Sequence, residues 1–339
     1  MDNSSKGGQM PVSDVGFAVV GLGMGANRAR QVAATPGARL VAVCDVDEDR
    51  LEKVVTEHDC EGTPDYHDLL KRDDIDVIYV MTPSGLHGKV AIDAARAGKH
   101  VITTKPIETT LEKADAMIQA CEQAGVQLLV DFGNRYNADT NKIKAALDRG
   151  LFGDLILAEA RLKWYRADAY YNESWHAWHG TWELDGGGSL INQTVHDVDL
   201  LCWFLGPPET VRGRIGVYNH DIEAEDMSLA MLHYPSGAEG VIVCTTTFPD
   251  SQPASVEIHG TKGGAIYRGG EIAFWKTAGD VEVEAPPCPA SAADDMVKTL
   301  RDGEPLWCDG REGRKALAVI RAIYESALNG EKLISFGGW

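Results

Sequence analysis

Two stretches of this chain hold residue types that can move a proton near neutral pH. Lys105 closes the apolar run Val101-Ile102-Thr103-Thr104 and is followed by Pro106, which fixes the backbone there. A lysine at a strand end can hydrogen-bond a substrate hydroxyl and stabilise charge developing on its oxygen. A plain surface lysine is the alternative. The second stretch runs Gly186-Gly187-Gly188-Ser189-Leu190-Ile191-Asn192-Gln193-Thr194-Val195-His196-Asp197-Val198-Asp199. The glycines leave a backbone that a ligand can approach. On the helix after them Asn192 and His196 are four apart, hence on one face, with Asp199 three further on. Histidine takes a proton from an alcohol when its other nitrogen is oriented, and Asn192 can position either the ring or a hydroxyl. A core histidine bonded to Asp199 would use the same residues without catalysis.

A third stretch supplies a nucleotide site. Phe17 to Val20 is apolar, Gly21-Leu22-Gly23-Met24-Gly25-Ala26 follows, then a helical segment, then a second apolar run, Leu40 to Val43, that stops at Asp45. Strand, glycine turn, helix and parallel strand ending in an acid is the spacing of a dinucleotide fingerprint. Gly21 permits the tight turn, Gly23 lets backbone N–H groups near a pyrophosphate, and Ala26 allows close helix packing. The pyrophosphate belongs at the helix N-terminus near Met24 and Gly25. Asp45 is placed to accept both ribose hydroxyls of NAD and to repel the 2′-phosphate of NADP, with Arg50 close by in sequence.

Aromatic residues crowd Trp164 to Trp182, which hold four of the eight tryptophans, with Tyr165, Tyr170 and Tyr171 among them. Arg161, Lys163, Arg166, His176 and His179 are interleaved. Aromatic faces beside polar side chains suit a polyhydroxylated ring, so Trp164, Arg166, Trp178 and His179 are candidate substrate contacts. A subunit interface or a core patch is the alternative. His176 and His179 lack a cysteine or carboxylate partner at ligand spacing, so no metal site is expected.

Elements must carry these residues to one place. After Asp45 the chain alternates helices with apolar runs at Ile75 to Met81, Val101 to Thr103 and Val126 to Val130. That alternation predicts a doubly wound parallel sheet with its ligand crevice beyond the strand C-termini, where Gly21, Asp45, Thr82 and Lys105 fall. From Thr210 to Glu284 short alternating strands separated by turn residues predict a large, mostly antiparallel sheet. The expected fold is therefore α/β, a Rossmann doubly wound sheet plus a second α+β domain with an open sheet. Its expected divisions are a flexible polar tail over 1–13, an NAD-binding domain over 14–132, and a substrate-binding and oligomerisation domain over 133–339.

The 339 residues include 51 acids against 32 Lys and Arg, a net charge of −19. That balance argues against nucleic acid and anionic membrane as partners. No apolar run reaches the ~20 residues of a membrane span, and the N-terminus lacks the apolar core of a signal peptide. Seven scattered cysteines with no C-x-x-C pair read as reduced thiols, so a cytoplasmic location is expected.

Taken in order, GLGMGA, MTPSGLHGKVAIDAARAGKHVITTKPI, GTWELDGGGSLINQTVHDVDLL and DGREGRKALAVIRAIYESALNG resemble the glucose–fructose oxidoreductase/inositol dehydrogenase/MocA family over about Val15 to Leu333. The resemblance implies an NAD(P)-dependent enzyme that oxidises or reduces one secondary alcohol of a cyclic sugar, inositol or sugar derivative, in a homodimer or homotetramer. It implies that Lys105 contacts the reacting hydroxyl and that His196 is the general base. Thr82, Pro83 and His87 would border the nicotinamide, and Asn134-Arg135-Tyr136 would lie near nicotinamide and substrate. Two positions depart from the pattern. Thr104 replaces a glutamate before the lysine, and Asn192 replaces an aspartate four residues before the histidine. A second reading retains NAD and uses transient sugar oxidation for elimination or glycoside cleavage. A third is a non-catalytic NAD-binding sensor or scaffold.

Overall fold

The computed structural model describes residues 14–172 and 177–336, which leaves the expected N-terminal tail, Trp175 and His176 outside the described residues. Its first sheet has six strands: β1 (Val15–Val20), β2 (Ala38–Cys44), β3 (Glu61–Thr63), β4 (Val77–Val80), β5 (His100–Thr104) and β6 (Leu128–Asp131). All are parallel, in the order β3-β2-β1-β4-β5-β6. Strands β1, β4 and β6 are buried along their whole length, the reason their sequences are apolar without alternation. The order reverses between β1 and β4, so a crevice opens at their C-terminal ends. The short β3 falls at Gly62-Thr63, a segment that reads as a connection in the sequence.

The second sheet has eight strands: β7 (Leu155–Lys163), β8 (Thr210–Gly216), β9 (Met227–His233), β10 (Glu239–Thr245), β11 (Ser255–Gly260), β12 (Gly264–Arg268), β13 (Glu271–Lys276) and β14 (Ile334–Ser335). Its order is β13-β12-β11-β7-β10-β9-β8-β14, antiparallel except where β7 meets β10. Burial alternates along β9 and β10, because one face of the sheet is covered, by segment Ser189–Thr194 over these two strands and by helices Val195–Leu205 and Gly310–Leu328 over β7, β8 and β11, while the other is open. The chain also returns to the first sheet. Helix Ala292–Asp302 seats Ala293 and Met296 among Phe17, Val19 and Tyr79, and Val130 N donates to Cys308 O at 2.9 Å.

Two residues expected near the cofactor lie elsewhere. Arg135 is 1% exposed and gives Asp199 a two-pronged ion pair, Nε to Oδ2 at 2.9 Å and Nη2 to Oδ1 at 2.7 Å. Its guanidinium therefore ties the turn after β6 to helix Val195–Leu205 rather than lining the crevice, and Asp199 is turned away from His196. Tyr136 donates its hydroxyl to Asp295 Oδ2 at 3.0 Å, which turns it toward helix Ala292–Asp302 and off the substrate wall. Both were misplaced for one reason: a polar side chain next to a site pairs with whichever buried acid the tertiary fold supplies.

Removing one member of a buried ion pair strands the other charge, at a cost of about 3–5 kcal/mol. Arg135→Ala should lower the unfolding free energy in urea by about that amount, while the folded fraction binds NADH with unchanged affinity. A large loss of NADH affinity without destabilisation would restore Arg135 to the cofactor.

Candidate active site

The strand ends and the glycine-rich segment of the second domain enclose a crevice of about 850 Å³. Its cofactor end is built by β1 and β2. Gly21 holds φ +93°, and a Cβ there would sit 2.6 Å from the Met81 carbonyl oxygen, so glycine is required twice over. Helix Gly25–Ala34 starts immediately after, with Met24 as its N-cap. Asp45 accepts from Leu22 N at 2.6 Å and Asp47 N at 2.8 Å, which aims its carboxylate across the turn, and Arg50 Nη2 lies 3.0 Å from Oδ1. Thr82 Oγ1 is buried without a hydrogen-bond partner and borders the same space. A carboxylate at the second strand end, an open glycine turn and an orphaned hydroxyl fit the ribose, pyrophosphate and nicotinamide regions of NAD.

Gly21, Gly23, Met24, Asp45, Thr82, Pro83, His87 and Lys105 all border the crevice. Gly25 is not on its wall; a Cβ there would meet the Met81 side chain at 3.0 Å, so it serves helix–strand packing. His87 is 1% exposed, and its two ring nitrogens lie 2.8 Å from Thr82 O and 2.9 Å from Pro106 O. It pins together the loops that follow β4 and β5.

The opposite wall comes from the second domain. Glu225 is 1% exposed and accepts from Gly188 N at 2.8 Å, Leu190 N at 2.7 Å and Tyr324 Oη at 3.1 Å. Those bonds anchor Gly186–Gly188 and the segment Ser189–Thr194, which is a π-helical turn leading into helix Val195–Leu205. Such turns are rare and concentrate at functional sites. Here the turn brings the Asn192 carbonyl to Lys105 Nζ at 2.6 Å and leaves Asn192 and His196 on the crevice wall. Trp164, Arg166, Trp178 and His179 complete the substrate end, Trp178 and His179 stacking with centroids 3.9 Å apart.

Burial lowers the Lys105 pKa to about 8, with the charge of Asp185 opposing the fall and those of Arg166 and Arg28 assisting it. Burial, then Lys105, then Arg28 lower His196 to about 3, and its Nδ1 is buried without a partner. His196 is thus neutral at working pH, and no carboxylate among the described residues orients it. Burial raises Asp185 to about 7 against the bonds it accepts from Gly180 N and Asn192.

Four wall or network residues escaped the sequence reading. Gln193 stands next to Asn192, and Asp185 immediately precedes the three glycines, so adjacency to the motif was a usable signal for both. Arg28 pairs with Asp131 at 2.7 Å, and Tyr79 Oη donates to the same Asp131 oxygen at 2.6 Å. Asp131 ends β6 much as Asp45 follows β2, so strand-end logic would have found it. Arg28 sits three residues past Gly25 on the flank of the buried stripe and has no signal in isolation.

Comparison with known proteins agrees with this geometry. Residues 15–132 match the oxidoreductase family with an NAD-binding Rossmann fold, and 140–266 match the GFO/IDH/MocA C-terminal domain. Among curated relatives, the scyllo-inositol 2-dehydrogenase (NAD(+)) of Bacillus subtilis is 29% identical over 254 residues, 73% of this chain and 71% of that one. The myo-inositol 2-dehydrogenase of Thermotoga maritima is 28% identical over 330 residues, 91% and 95% of the two chains. Among solved structures, the WlbA dehydrogenase from Bordetella pertussis in complex with NADH and UDP-GlcNAcA is 34% identical with a TM-score of 0.87, covering 96% of this chain and 100% of that one. With the NAD-binding sheet, the second open sheet and these matches in agreement, the chain belongs to the GFO/IDH/MocA family of oxidoreductases.

Proposed function

We propose that this protein is an NAD-dependent dehydrogenase that oxidises one secondary alcohol of a cyclic sugar, polyol or sugar derivative. The observation that carries the reading is the meeting of Lys105 and His196, from two different domains, on one crevice whose far end is a glycine turn closed by Asp45. NAD held at that turn supplies the hydride acceptor; the rest is the work of this chain's side chains. The aromatic wall of Trp164 and Trp178, with His179, receives the ring. Lys105 meets the reacting hydroxyl, with Asn192 beside it.

The proton is the harder part. A base near pKa 3 holds a proton poorly at neutral pH, so His196, although the expected general base, is better suited as a neutral ring on the crevice wall that orients the hydroxyl. Lys105, near 8, exchanges a proton at working pH. In its amine form it takes the hydroxyl proton as the hydride leaves carbon, and as ammonium it returns that proton in reduction.

Lys105→Ala should cut turnover by about 10²–10⁴-fold with NADH binding retained, and His196→Ala by about 10²-fold. Lys105→Arg should be as inactive as the alanine variant, because a guanidinium keeps its proton. Full turnover in Lys105→Ala ends the assignment.

NMR titration of ¹³C-methylated lysines should show one resonance, absent from Lys105→Arg, that titrates near pH 8 while surface lysines titrate near ~10.4. The sign follows: ammonium predominates below pH 8 and amine above, so the oxidation rate should climb through that pH and then level off. A rate that falls through pH 8 would return Lys105 to a purely polarising role.

NAD should be preferred over NADP. Asp45→Ser, by removing a charge that faces the 2′-position, should raise NADP use relative to NAD by about tenfold or more, measured as a ratio of kcat/KM. An unchanged ratio would move the discrimination to other residues.

A further inference from the structure

The substrate end of the crevice contains a cation, Arg166, that no acid among the described residues pairs with. Arg166 follows β7, where its backbone N–H donates to Thr246 O at 2.9 Å. Its guanidinium lies against two rings, 5.0 Å from the centroid of Trp164 and 4.9 Å from that of Tyr170. Nη2 donates to Gln193 Oε1 at 2.7 Å, while Nε is buried and makes no hydrogen bond. Among the described residues no carboxylate lies within ion-pair distance of Arg166. The other arginines around this crevice differ: Arg28 is paired with Asp131 and Arg50 with Asp45.

The side chain is held in place by neutral groups. The Gln193 amide is fully committed, its Oε1 to Arg166 and its Nε2 to Tyr170 Oη at 2.8 Å and Asn192 Oδ1 at 3.1 Å. Asn192 Nδ2 in turn donates to Asp185 Oδ1 at 2.6 Å, and Gly180 N donates to Asp185 Oδ2 at 2.9 Å. The chain Asp185–Asn192–Gln193–Arg166 is therefore one hydrogen-bonded row joining the residue beside Lys105 to the guanidinium. Its only carboxylate has both oxygens engaged and stands two side chains away. A half-buried guanidinium carries a desolvation cost that no carboxylate among the described residues offsets by direct pairing. In a chain with a net charge of −19, acids to neutralise it were plentiful.

We infer that the substrate brings the missing charge: the ring it oxidises bears a carboxylate, as in a uronic acid, that docks on Arg166 while a ring hydroxyl faces Lys105. This rests on the dehydrogenase reading above and narrows it. The ligands named for relatives include both inositols and UDP-GlcNAcA, so the charge has to be read from this chain's own residues. A carboxylate is the anion that suits the place. The guanidinium fork takes a planar group in its own plane, alongside the rings of Trp164 and Tyr170. A phosphate could engage the same fork, and the UDP pair below separates the two sources, since both of its members carry the diphosphate and only one the carboxylate.

Two probe pairs that differ only in CH₂OH against COO⁻ test the inference: D-glucose with D-glucuronate, and UDP-GlcNAc with UDP-GlcNAcA. Binding to the NADH-loaded enzyme is followed by calorimetry and NADH formation by absorbance. In at least one pair the acid should bind about tenfold to a hundredfold more tightly than its neutral partner, the range expected for a charge-assisted hydrogen-bonded pair. Arg166→Gln should abolish that preference with NADH affinity unchanged, and Arg166→Lys, which keeps charge but loses the fork, should retain only part of it. Equal or tighter binding of both neutral sugars, failure of both acids to bind, or an acid preference that survives Arg166→Gln overturns the inference. The two readings fail separately. Acid bound through Arg166 without NADH formation sinks the dehydrogenase and leaves the anion site, whereas turnover of neutral sugars with no acid preference does the reverse.

Discussion

The bond from Lys105 Nζ to the Asn192 carbonyl, 2.6 Å long, is the contact on which this architecture turns. One end belongs to the loop after β5 of the parallel sheet, the other to the π-helical turn that enters the second domain. Neither domain alone makes a site. The parallel sheet presents strand ends and a lysine; the second domain presents a histidine, an amide row and an aromatic wall. Their junction requires backbone that can come very close, which accounts for the glycines. A Cβ on Gly188 would collide with the Glu225 carbonyl, and one on Gly186 would meet Thr109 Cβ at 2.8 Å. Glu225 then fixes the turn by accepting from its N–H groups, so a single buried carboxylate orients the segment bearing both Asn192 and His196.

Charge is distributed unevenly around that junction. The surface is acidic, yet the residues that face one another across the crevice include Lys105, Arg166 and Arg28. The protein uses this crowding. Burial lowers the proton affinity of Lys105 and His196, Arg166 and Arg28 add to the fall at Lys105, and Lys105 and Arg28 add to it at His196, which brings the lysine to about 8 and keeps the histidine neutral. Arg28 is restrained by Asp131 and Tyr79 at the end of β6, so its field on His196 is fixed rather than mobile.

What the sequence disclosed was what local chemistry decides. Gly21 needs a positive φ, Asp45 ends a strand, and Lys105 follows one; each statement concerns a residue and its immediate neighbours. The two-layer architecture was legible for the same reason, since continuous apolar runs and alternating ones differ in the residues themselves. Pairings across the fold were not legible. Arg135 and Tyr136 stand beside the crevice in sequence, but Asp199 and Asp295 claim them, and nothing near either residue announces those partners. The π-helical turn was hidden as well. Ser189 to Thr194 has an ordinary helical composition, and the widening comes from the anchor on Glu225 and the reach of Lys105.

The two departures from the family pattern acquire a physical sense at this point. Loss of an aspartate at position 192 would leave the lysine without its nearby acid, and loss of a glutamate at 104 would deepen the deficit. The acid is present all the same, displaced to Asp185 and joined to the site through the Asn192 amide. Separated by that amide, the carboxylate offsets Lys105 only in part, and the lysine stays well below its ordinary proton affinity. The Asn192 side chain stands between Asp185 and Gln193, and Gln193 carries the row on to Arg166. With asparagine at 192 the acid is reached through an amide, and the polar network extends outward to Arg166.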